Sequence, residues 1–220
     1  MTPPTLLERL LAMHGPQHWW PGDTAFEIAI GAILTQRTSW RNAARAIANL
    51  KAADRLAAKD IVAMDETELQ NLLKPCGFYR VKSKRLKDFC RWLESHNGFA
   101  RLRALPTPLL REALLAIRGI GQETADAILL YACGRPVFVV DAYAYRLLGR
   151  VGSIEKGMQP SYEAVRHYVE SAIGPDTAAL GELHALIVKH GQALCRPQPA
   201  CARCQLQPQC PGAILARETA

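Results

Sequence analysis

Leu114-Leu-Ala-Ile-Arg-Gly119-Ile-Gly121-Gln-Glu-Thr-Ala-Asp-Ala-Ile-Leu-Leu130 is the stretch on which the fold turns. Two apolar helical segments flank a Gly-Ile-Gly turn. Glycine lets a backbone turn tightly and approach a partner with no Cβ in the way. The N–H groups at the start of the following helix have no partner within it, so they can hold an anion such as a phosphate. The same residues also fit a plain connection between two packed helices.

Outward from this stretch the pattern stays helical. Leu6, Leu7, Leu10 and Leu11 form one apolar stripe, and Gly15 is placed to stop that helix. Thr24-Ala-Phe-Glu27 reads as a capping box that opens an apolar helix to about Leu34. Asp65-Glu-Thr-Glu68, the stretch from Val81 to His96, and Thr107-Pro108 signal further helices, as do Ser161 and Asp176. Pro136-Val-Phe-Val-Val140 is the one strand-like run, short and isolated. The fold class is all-α.

The composition is that of a globular protein: 49% hydrophobic and 21% charged residues in a chain of 220. Lys and Arg outnumber Asp and Glu by 27 to 20, a balance that favours polyanionic partners. The first residues show no basic stretch followed by an apolar core, so no signal peptide is expected, and an apolar run such as Ile28 to Leu34 is too short to span a bilayer. A cytoplasmic protein without a membrane partner is expected, with the nucleoid as its place if the source is bacterial. In a reducing compartment clustered cysteines point to a metal rather than to disulfides. Cys195-x5-Cys201-x2-Cys204-x5-Cys210, with Pro197, Pro199 and Pro208 between the cysteines and Pro211 next after them, is such a cluster. Its four thiols suit zinc or an iron–sulfur centre, and ligand count alone does not separate them. Cys76, Cys90 and Cys133 are scattered in helical contexts and read as core.

Two further features carry chemistry. Asp141 follows a β-branched run and opens a helix, so it reads as an N-cap or as a carboxylate held rigidly at the mouth of a cleft. Lys74, Arg80, Lys82, Lys84, Arg85, Lys87 and Arg91 make the densest basic stretch, a solvated helix face or a track for phosphates.

The Gly119-Ile-Gly121 hairpin, Asp141 twenty residues on and the four-cysteine tail, in that order, resemble the endonuclease III superfamily of DNA glycosylases. The resemblance runs from about Phe26 to Cys210. It implies two helical lobes with a DNA-binding cleft: a six-helix lobe over 24–133 with the helix-hairpin-helix motif, and a lobe of 134–220 with 1–23 that carries the cluster. It also implies a [4Fe–4S] cluster on Cys195, Cys201, Cys204 and Cys210 in preference to zinc, and Asp141 as the catalytic carboxylate. DNA contacts are expected at Gln36, Gly119, Gly121, Thr124 and Lys189, with His190 a further candidate. The implied partner is double-stranded DNA containing a damaged base, bound by a monomer.

Two positions depart from the family pattern. Glu123 stands where endonuclease III has its lysine, and a carboxylate cannot form a Schiff base with the sugar, so a glycosylase without efficient strand cleavage is expected. Five residues rather than six separate the first two cysteines, which makes a tighter loop.

Within the superfamily, the 3-methyladenine branch carries Trp-Trp-Pro before the six-helix lobe and an aromatic just after a Thr-Gln-x-Thr loop. This chain has Trp19-Trp20-Pro21, then Thr35-Gln36-Arg37-Thr38 and Trp40. The match makes Trp19, Pro21 and Trp40 base-binding residues; otherwise the tryptophans cover a lobe interface. Oxidised or mismatched bases are the alternative substrates. A non-catalytic DNA-binding relative and a zinc-stabilised nucleic-acid module are the alternatives from other classes.

Overall fold

Thr24 caps the helix on which the 21–135 unit is built, its Oγ1 accepting a hydrogen bond from the Glu27 amide at 3.1 Å. Glu27 reaches back one residue further than a capping box requires, accepting from the Asp23 amide at 3.0 Å. This helix, α2 (Ala25–Leu34), has no polar face, so it must be covered on every side. Ala29, Ile30, Ile33 and Leu34 are fully buried. They are covered by α3 (Trp40–Ala52), α6 (Tyr79–Ser95) and α9 (Gln122–Ala127), the last continuing as a π-helical turn over Ile128–Ala132.

The computed structural model describes residues 1–154 and 160–213, so positions 155–159 and 214–220 of the expected 134–220 lobe lie outside the described residues. The chain divides into two units, Pro21–Arg135 and Met1–Trp20 with the residues from Pro136 onward. Where six helices are expected, the first unit carries eight, α2 to α9. Among them α4 (Ala58–Ala63) and α7 (Gly98–Leu102) are too short to give an apolar period. The others are α5 (Glu66–Leu73), which Asp65 caps as its spacing predicts, and α8 (Thr107–Leu115). Pro106 rather than Thr107 is the cap of α8, a shift of one residue.

Two buried charged side chains, Lys82 and Asp126, fix this unit. Lys82 is 1% exposed, and its Nζ donates to the Leu34 carbonyl at 2.9 Å and the Cys76 carbonyl at 2.7 Å. It therefore ties the end of α2 to the start of α6 instead of joining a basic surface, and burial pushes its amine below the usual lysine range. Arg111 of α8 grips fully buried Asp126 of α9 with a two-pronged pair, 2.6 Å from Nε and 3.0 Å from the terminal nitrogen.

In the other unit α12 (Thr177–Ala193) packs against α1 (Pro3–His14) and α10 (Ala142–Arg150), while α11 (Tyr162–Ile173) packs on α1 and α12. Leu6 and Leu10 of α1 are fully buried, as are Leu180, Leu183, Leu186 and Ile187 of α12. Ser161 and Asp176 cap α11 and α12 as expected. Val137 to Val140 of the strand-like run are buried but pair with no strand, and no strand occurs among the described residues. Side chains take the place of a sheet partner: Glu170 accepts from the Phe138 amide at 2.8 Å and the Tyr162 hydroxyl from the Val140 amide at 3.3 Å. No helix among the described residues is long and apolar enough to cross a membrane.

Candidate functional site

Gly119 has a φ of 86°, the left-handed region that glycine enters without penalty. A Cβ there would stand 2.4 Å from Nε of Arg85, so the arginine lies across the turn in space that any side chain at 119 would take. Ile120, only 4% exposed, plugs the turn into the core. Gly121 is extended and caps α9, and a Cβ on it would meet nothing within 4 Å. The backbone before α9 is therefore open to a partner.

The loop after α2 is tied to this hairpin through Gln36. Its Nε2 donates to the Gly119 carbonyl at 3.0 Å and to Thr124 Oγ1 at 2.9 Å, while Arg85 donates to its Oε1. Thr124 is 7% exposed, so its hydroxyl joins hairpin to loop. Arg85 was visible in the sequence only as one charge in a basic run. Phe78, at the N-cap of α6, is 62% exposed on left-handed backbone (φ 47°), an apolar side chain that no period singled out.

Asp141 caps α10, with Oδ1 accepting from the Ala144 amide at 2.7 Å. Its second oxygen lies 3.8 Å from Nε2 of His184 on α12, and the two side chains are 13% and 6% exposed. The cap fixes the carboxylate while leaving that oxygen toward the imidazole. His184 itself stands edge-on to Phe138 at 6.3 Å. Nothing in the sequence pairs His184 with Asp141, which is 43 positions away.

Cys195, Cys201, Cys204 and Cys210 line one pocket, walled otherwise by Leu147, Val151, Leu194 and Leu206. Burial pushes the Cys204 thiol up, and the other three cysteines add to the shift. Arg150 donates to Cys195 Sγ at 3.3 Å and to the Pro197 carbonyl at 2.8 Å. Arg146 donates to the Cys195 carbonyl at 2.8 Å. His190, 1% exposed, faces this pocket rather than solvent: its Nε2 is 3.6 Å from Cys204 Sγ and its Nδ1 3.0 Å from His14 Nε2. Burial holds its pKa down to about 4. Lys189 beside it is exposed. Among the described residues no three His, Cys, Asp or Glu side chains are grouped to hold one metal ion. Four thiols in one largely apolar pocket with an arginine at its edge fit an anionic thiolate-bound centre, an iron–sulfur cluster or zinc. Cys76, Cys90 and Cys133 are core residues as expected, and burial pushes the thiols of Cys90 and Cys133 to about 12 and about 11.

The family model of the HhH-GPD superfamily of base-excision DNA repair proteins matches residues 30–175. The chain belongs to this superfamily. A Methanocaldococcus jannaschii protein, provisionally named a DNA repair glycosylase, is 42% identical over 91% of this chain and 92% of its own. The crystal structure of the H. pylori 3-methyladenine DNA glycosylase bound to 1,N6-ethenoadenine superposes with a TM-score of 0.75 at 31% identity, covering 87% of this chain and 98% of that one. A non-covalent endonuclease III–DNA complex shares the fold, with a TM-score of 0.83 at 22% identity over 99% of both chains.

This HhH-GPD chain carries Glu123, exposed, in the first turn of α9. Trp40 is half-buried at the start of α3, and Pro21 is exposed in the same unit. Trp19 is half-buried in the other unit, edge-on to Trp20 with ring centroids 5.6 Å apart.

Proposed function

We propose that this glycosylase hydrolyses the N-glycosidic bond of an alkylated purine such as 3-methyladenine in duplex DNA and leaves the abasic strand uncut. The likeness to the H. pylori 3-methyladenine glycosylase over most of both chains carries the reading. The match of Trp19, Pro21 and Trp40 to that branch supports it. N3-alkylated adenine is cationic, and indole faces attract a cation more strongly than a neutral base. It is also a good leaving group, so the base pocket needs no strong general acid.

The hairpin at Gly119 and Gly121 binds the phosphate backbone, with Lys189 as a further contact. The damaged nucleotide rotates out of the stack. Gln36 enters the space it leaves, exchanging its bonds to Gly119 and Thr124 for contacts with the stranded partner base. As the C–N bond breaks, Asp141 stabilises the positive charge that develops on the sugar and orients the attacking water. Glu123 offers no amine, so no Schiff base forms and the products are a free base and an abasic site.

The hairpin lobe is assigned to 24–133 and the cluster lobe to 134–220 with 1–23. In the second, Cys195, Cys201, Cys204 and Cys210 hold a [4Fe–4S] cluster, which when bound fixes the loop. The enzyme acts as a monomer in the cytoplasm, on the nucleoid if bacterial. Borohydride trapping tests the chemistry: wild type releases base, gives no trapped adduct and leaves alkali-labile sites, while Asp141→Asn loses at least ~100-fold in release. A trapped covalent adduct, or near-normal turnover by Asp141→Asn, overturns the assignment.

A further inference from the structure

A groove of about 710 Å³ runs along α6 and reaches the hairpin at Gly119. Arg80, Lys84, Arg85, Lys87 and Arg91 line it from α6 and Arg118 from the hairpin, against two carboxylates, Glu66 and Asp88. We infer that this groove takes the phosphodiester backbone of the duplex arm beside the lesion, a second phosphate contact distinct from the hairpin's own. The inference rests on the DNA-glycosylase reading above and extends its footprint.

The spacing argues for a linear polyanion. Arg80, Lys84, Lys87 and Arg91 fall at i, i+4, i+7 and i+11, one stripe of a helix with 3.6 residues per turn. At a rise of about 1.5 Å per residue the stripe is roughly 17 Å long. A DNA strand carries one charge per ~3.4 Å of helix axis, so the stripe matches about five phosphates. Arg80 and Lys84, like Lys87 and Arg91, are like charges at i and i+4, which a merely solvated helix face disfavours.

Not every charge is equally available. Lys87 donates to the Met64 carbonyl at the end of α4, and Arg91 is paired with Asp88 at 3.0 Å. Arg85 is held by Gln36 and lies across Gly119, which places a guanidinium where the groove meets the hairpin. Arg80, Lys84 and Arg118 are exposed, and among the described residues no carboxylate lies within ion-pair distance of any of them. Three cations without acidic partners around one groove give it a net positive field that draws in phosphate and excludes acidic surfaces.

Arg80→Gln/Lys84→Gln, both exposed positions, tests this without endangering the fold. Duplex binding followed by fluorescence anisotropy across 50–200 mM salt is compared with wild type and with a control, Arg45→Gln/Arg55→Gln, that removes two exposed cations elsewhere in the same unit. Each lost phosphate contact lowers the slope of log K against log salt by about 0.9, so the groove variant is expected to be shallower by ~1.8 and roughly 50-fold weaker near 100 mM. The control keeps the wild-type slope. Equal slopes for wild type and groove variant, or an equal drop in the control, overturn the groove. A wild type that binds no duplex at any salt overturns the DNA reading itself, a different outcome.

Discussion

The hairpin and the cysteine loop are both short turns that hold something for the helices around them, yet they are built in opposite ways. The hairpin is fixed by side chains of the protein: Ile120 plugs it, the Arg111–Asp126 pair clamps its two helices and Gln36 binds it from outside. The loop from Cys195 to Cys210 has no regular structure beyond two single turns, Cys201–Arg203 and Gln207–Gln209. Leu206 is its one buried apolar residue besides Cys195, and Arg146 and Arg150 grip one end of it. On the proposal that the four cysteines hold a cluster, a segment with so little core takes its order from that group, whereas the hairpin's contacts are all made by the protein itself.

The sharpest break between the two comes from a ligand substitution. Cys204→Ala is expected to bleach the visible cluster absorption and speed amide exchange over 195–213 by at least ~100-fold, leaving 114–130 protected. Equal protection of the loop in that variant would show that its order is its own. Lys82→Met comes next. It strands the Leu34 and Cys76 carbonyls inside the hairpin lobe, so urea unfolding should show a loss of about 2–4 kcal/mol. Gly119→Ala forces a Cβ into the left-handed region and against Arg85, for about 1–2 kcal/mol. Its duplex affinity should also fall about tenfold, since the hairpin contact and Arg85 move together. Arg150→Gln is the smallest, about 1 kcal/mol from the lost hydrogen bonds to the loop, with the hairpin's exchange unchanged.

Which features were legible in the sequence follows from how far apart the interacting atoms lie along the chain. The caps at Thr24, Asp65, Asp141, Ser161 and Asp176 are local bonds over two or three residues, so residue type and position reveal them. The two hairpin glycines and the cysteine spacing are local for the same reason. Lys82 was misplaced on a basic surface because its partners, Leu34 and Cys76, are set by tertiary packing. The clamp on Gln36 spans 83 and 88 positions and leaves no periodic trace. Val137 to Val140 have strand propensity but no strand to pair with, and tertiary context overrides propensity there.

Base release from duplexes that carry 3-methyladenine, beside matched duplexes with an oxidised pyrimidine or a mismatched thymine, tests the central claim most directly. The account predicts release of 3-methyladenine at least ~100-fold faster than of the other bases, with strand breaks only after alkali. Preferential release of the oxidised or mismatched base, or breaks without alkali, would contradict it.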